Sequence, residues 1–65
     1  MTAELFEASC LMAHRLGLEL AKQKLIEGYA KALWQEDQRR SPGLAIYWQK
    51  EAYEGIAKGK LEALL

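Results

Sequence analysis

Only four β-branched residues stand in this chain, Thr2, Ile26, Ile46 and Ile56, and there is no valine. Strands draw heavily on such residues in alternation with polar ones, and no alternation of that kind occurs. The chain is therefore expected to be all-helical. Its single proline lies in the one strong breaker cluster, Arg39-Arg40-Ser41-Pro42-Gly43. Ser41 is a good N-cap, because its hydroxyl can accept from an orphan backbone N–H. Pro42 suits the first helical position, where a missing N–H costs nothing. Arg39 and Arg40 then complement the negative end of the preceding helix dipole. Thr2 is placed to cap the first helix, with Glu4 and Glu7 in or near its first turn. The resulting reading is one helical domain over 1–65, with a helix over about 3–39, a turn at 40–42 and a helix over about 43–64.

These two helices differ in length, at roughly 55 Å and 33 Å. Either the first overhangs the second, or it breaks. Gly17 and Gly28 are the candidates for a break, since each costs about 1 kcal/mol against Ala inside a helix. Gly17 is the preferred one, and a turn at Leu16-Gly17-Leu18 makes three helices of two.

Projected at about 100° per residue, the first helix carries two apolar stripes. Leu11, Leu18 and Leu25 recur every seven, with His14 and Ala21 between them, which is the pattern of a dimer seam. Leu5, Met12, Leu16, Leu20 and Trp34 make the second stripe. The last helix has one broad arc. One edge holds Ile46, Tyr53, Ala57, Leu61 and Leu64; the other holds Trp48, Ala52, Ile56, Gly59 and Ala63. A hairpin covers only one stripe of its long helix, and cores below about 70 residues rarely suffice alone. The expected architecture is an antiparallel two-helix hairpin pairing into a homodimeric bundle, with a three-helix monomer as the alternative. In the hairpin, residues 3–16 overhang, exposing Leu5, Phe6, Met12 and Leu16, while the aromatics Trp34 and Trp48 cluster around the turn at the other end. Those six are the expected partner-binding residues.

Little chemistry is visible. Cys10 and His14 stand four apart, with Glu7 one turn earlier, a spacing that admits a Cys–His pair or half a zinc site. Neither a third ligand nor an orienting Asn or Asp follows in sequence, and buried packing roles are the expectation for both. Phosphate loops, nucleophile elbows and His-Glu-x-x-His are absent. No catalytic, cofactor or metal residues are assigned.

Residues 12–28 resemble the helix-turn-helix of phage-type repressors. Ala13 stands four before Gly17, Leu16 and Leu18 flank the glycine, and Ile26 falls where the recognition helix packs. The resemblance implies that Glu19, Lys22, Gln23 and Lys24 open a recognition helix facing DNA. Leu20 and Gln23 depart from the pattern, one apolar where that helix shows a polar residue, the other the reverse. Nine basic residues balance nine acidic ones, so the electrostatic footprint of a nucleic-acid binder is missing.

The function expected from these features is a small non-enzymatic interaction module. It would bind another protein and modulate or inhibit it, as phage- or plasmid-type regulators of similar size do to host factors. A DNA-binding regulator and an RNA-binding two-helix dimer are the alternatives. With one cysteine, no apolar span and no basic-then-apolar leader, a cytoplasmic setting without membrane contact is expected.

Overall fold

A computed structural model describes residues 2–41 and 48–65, and these form three helices: α1 (Ala3–Arg15), α2 (Glu19–Arg40) and α3 (Lys50–Leu64). The two-helix hairpin is thus replaced by its three-helix alternative, because the first long helix breaks at Gly17. There the backbone turns left-handed, φ 73°. The Leu18 N–H donates to the Ala13 carbonyl at 2.9 Å and the Gly17 N–H to the His14 carbonyl at 3.1 Å. Those two bonds are a Schellman motif, which satisfies the orphan carbonyls at the end of α1 and requires a residue without a Cβ at its left-handed position. The overhang expected for residues 3–16 does not exist, since α1 folds back antiparallel along α2.

Local signals set the other ends. Thr2 is extended, and its Oγ1 accepts from the Leu5 N–H at 3.4 Å. Arg39 and Arg40 close α2, where the Ser41 N–H donates to the Asp37 carbonyl. The expected turn at 40–42 meets α2 at Arg40 and a C-cap at Ser41. Pro42 and the expected helix start at 43 lie outside the described residues. Among those described, α3 begins only at Lys50, preceded by Trp48 and by Gln49 as its N-cap.

α2 is the spine. Its one flank packs against α1 through Tyr29, which reaches Glu7, and through Gly28, which faces Phe6. Its other flank meets α3, where the Trp34 and Trp48 rings lie 5.3 Å apart, tilted by 56°, and Asp37 accepts from the Tyr53 hydroxyl at 2.7 Å. An exposed Lys50–Glu27 pair at 3.6 Å adds little. Of the two edges expected on α3, Ala57, Leu61 and half-buried Tyr53 turn inward, while Ala52, Ile56, Gly59 and Ala63 stay exposed. Ile46 lies outside the described residues.

The core is small. Its buried apolar residues are Ala3, Cys10, Ala13, Ile26, Tyr29, Ala30, Ala32, Ala57 and Leu61. Five of these nine are alanines, so the helices approach closely but bury few methylenes. The closest approach is at Gly28. A Cβ there would overlap the edge of the Phe6 ring. Phe6 is accordingly half-buried against the core, where the sequence reading expected it exposed on an overhang as a partner-binding residue.

Three glycine variants separate these roles in urea unfolding. Gly17→Ala lowers stability by about 1–2 kcal/mol, because an L-residue is forced left-handed. Gly28→Ala is also destabilising, but in a Phe6→Ala background it stabilises by up to about 1 kcal/mol. Gly59→Ala, whose Cβ would meet nothing within 4 Å, stabilises by a similar amount through helix propensity alone.

Candidate functional site

Because α1 folds back on α2, residues from both expected stripes meet on one face. Met12 and Leu16 from the end of α1 and Leu18, Ala21 and Leu25 from the start of α2 line a shallow groove of about 450 Å³, with Ala8, Ser9 and Ala13 at its floor and edge. Half or more of each larger α1-side chain is in water: Met12 is 56% exposed and Leu16 64%. Leu18, at the turn, is 50% exposed. No charged residue lines the groove. Leu5, 54% exposed, continues the same side of α1 toward its N-terminus.

The Schellman turn builds this face directly. Its hydrophobic pair is Ala13 and Leu18, the residues that close its longer hydrogen-bonded ring, and both line the groove. The expected seam Leu11–His14–Leu18–Ala21–Leu25 is divided by the same turn. Leu18, Ala21 and Leu25 join the groove, Leu11 is half-buried against the core, and His14 lies outside it, exposed. Heptad spacing fails across Gly17 because the chain reverses there. Of the expected partner-binding residues, Met12 and Leu16 are in the groove and Leu5 is beside it. Half-buried Trp34 and 36%-exposed Trp48 make a tilted ring contact at the α2–α3 side, with Tyr53 at 6.1 Å from Trp48. Leu20, 79% exposed, stands alone on α2 among exposed Lys24, Glu27 and Lys31.

Glu7, Cys10 and His14 are each engaged elsewhere. Cys10 is 1% exposed, and burial holds its thiol above the ordinary 9.0 against a smaller opposing pull from Lys22. A protonated, buried thiol is a poor nucleophile and a poor ligand. The Lys22 Nζ lies 3.0 Å from the His14 Nδ1. Since an ammonium only donates, that ring nitrogen must accept. Among the described residues no three His, Cys, Asp or Glu side chains converge on a point that could hold a metal ion.

The four residues of the helix-turn-helix reading do not share one open face. Glu19, Lys22 and Gln23 border a cleft of about 220 Å³ whose other wall is α3, with Lys58 and Glu62. Lys24 is exposed outside that cleft. Among the described residues no helix is long and apolar enough to cross a membrane.

Beside the apolar contact of Phe6 with Gly28, α1 is held next to the groove by a polar contact that sequence spacing does not reveal. The Tyr29 hydroxyl, 22 positions from Glu7, donates to its Oε2 at 2.7 Å in a part-buried setting. Burial first, and the Glu7 hydrogen bond second, push the Tyr29 phenol well above its ordinary 10.0. The family models, curated proteins and solved structures compared with this chain give no match.

The raised phenol carries a pH dependence. A pKa raised on folding stabilises the protein fully below the unfolded value and loses that contribution as pH climbs toward the folded one. Urea midpoints should therefore fall as pH rises past 10.0. Tyr53, raised mainly by its Asp37 hydrogen bond, acts in the same direction. In Tyr29→Phe the alkaline fall should shrink to the parts left by Tyr53 and by the buried Cys10 thiol, which is also raised, while stability at neutral pH drops by about 1–3 kcal/mol for the lost charge-assisted bond.

Proposed function

We propose that this chain is a small non-enzymatic protein-interaction module, and that the α1–α2 groove is its contact surface. Binding another protein there would let it act as a regulator or inhibitor of the kind found among small phage- and plasmid-type proteins. One observation carries the reading: an uncharged groove in which Met12 and Leu16 are both more than half exposed. Isolated apolar side chains on a surface need no explanation, but a contiguous apolar face is the usual mark of an interaction site. Methionine and leucine side chains there adapt to a helical or extended apolar partner. Cys10 is a buried thiol, Glu7 is bonded to Tyr29 and His14 to Lys22, so these three lend little support to a chemical reading. Balanced charge, and three of the four candidate DNA-reading residues beside α3, weigh against nucleic acid.

A photo-crosslinker at position 16 tests this in the native host. The expected result is discrete protein adducts that disappear in Met12→Lys, while the variant keeps its helical circular dichroism. A charged residue at so exposed a site should change stability by no more than about 0.5 kcal/mol. Absence of protein adducts would contradict the reading. So would a low-salt mobility shift of duplex DNA or hairpin RNA by micromolar protein that depends on Lys22 and Lys24.

A further inference from the structure

We propose that the cleft between the start of α2 and the end of α3 binds a small zwitterion, a free α-amino acid with an aliphatic side chain. The cleft has no lining residue in common with the α1–α2 groove, so the proposal stands apart from the contact-surface reading.

Shape sets the size of the ligand. The cleft holds about 220 Å³. A water molecule takes about 30 Å³ of liquid, so the space equals roughly seven waters, the scale of a single amino acid. Its floor is apolar. Ile26 of α2 and Leu61 of α3 belong to the core, 5% and 3% exposed, and Leu65 stands at the edge. An apolar floor with a few polar groups converging on it is the usual form of a small-molecule site.

Charge selects the class of ligand. Each helix contributes one carboxylate and one ammonium group to the lining, Glu19 and Lys22 from α2, Lys58 and Glu62 from α3. A simple anion or cation meets as much repulsion as attraction there. A zwitterion pairs with both signs while its aliphatic side chain covers Ile26 and Leu61. Gln23 adds an amide able to donate or accept.

These charges are not satisfied within the chain. Nearby, Lys50 of α3 closes on Glu27 of α2 at 3.6 Å and on Glu54 at 3.9 Å. Among the described residues no such pair forms at the cleft, although Lys58 and Glu62 stand one turn apart, where pairs commonly close. Lys22 gives one N–H to His14 and keeps two. The last turn of α3 also carries no basic residue, so the negative end of its dipole meets the Glu62 carboxylate instead. A ligand ammonium beside Glu62 relieves that repulsion.

Titration of the isotope-labelled full chain with L-leucine, followed by amide chemical shifts, tests the proposal. The expected result is saturable shifts at Gln23, Leu61 and Glu62, with a dissociation constant on the order of 1 mM for so open a site. Isoamylamine and isocaproate carry the same side chain with only one of the two charges. Each should bind about fivefold more weakly, the scale of one partly exposed ion pair. Lys58→Ala and Glu62→Gln should each weaken leucine binding by about the same factor, with spectra that show the helices intact. Ile56→Ala, exposed on α3 outside the cleft, should leave it unchanged. The proposal is overturned if no saturable shift appears by about 20 mM leucine. It is equally overturned if either single-charge analogue binds as tightly as leucine, or if neither cleft variant weakens binding.

Discussion

The structure depends on one residue being able to turn left-handed. Gly17 lets two hydrogen bonds close over the end of α1, and that closure sends the chain back along α2. Everything that follows is geometry. Reversal brings Phe6 over Gly28 and Glu7 to Tyr29, so α1 is clamped by one apolar and one polar contact. Reversal also sets Met12 and Leu16 beside Leu18, Ala21 and Leu25. A straight helix would have held those residues on separate sides, spread over about 20 Å of its length. The groove is thus a product of the turn, with Ala13 and Leu18 serving both.

α2 shows what a central helix in so small a protein must do. It is packed on two flanks, by α1 and by α3, and so it buries residues around much of its circumference. Alanine at positions 30 and 32 lets both neighbours come close. The consequence is a tight core with little apolar area in it, and several long apolar side chains left outside. Leu5, Met12, Leu16 and Leu18 are on one side of the molecule, whereas Leu20, Ile56 and Leu64 are scattered. Met12, Leu16 and Leu18 line one groove together.

Local signals were legible in the sequence. The Thr2 cap, the Arg39–Arg40 end and the helical class each depend on residues within a few positions of one another. Gly17 was legible as the preferred break, but Leu11, Leu18 and Leu25 kept an unbroken seven-residue spacing across it, which argued for one long helix. Spacing counts residues along an axis, and the axis ended at Arg15. Of the groove residues, Leu18, Ala21 and Leu25 were named from sequence as a dimer seam and Met12 and Leu16 as a partner surface, while Ala8 and Ser9 were not singled out. Phe6 was misplaced because its burial depends on Gly28, 22 positions away, and no local pattern connects them. The same distance hid Tyr29 and Glu7. The Ser41–Pro42 start signal pointed to a helix from 43, whereas the described helix begins at Lys50, where no side chain caps it.

The central claim is that α1 lies folded back on α2, and an intramolecular distance measures it most directly. Nitroxide labels at exposed Glu4 and Gln35, in a Cys10→Ala background diluted with unlabelled protein, report that distance by pulsed electron resonance. Leu5 and Gln35 border one hollow, so the account expects a separation no greater than the 19 Å short dimension of the molecule, allowing for the label arms. An unbroken helix would place the two positions about 46 Å apart. A distribution centred near that longer value would contradict the fold, and with it the groove.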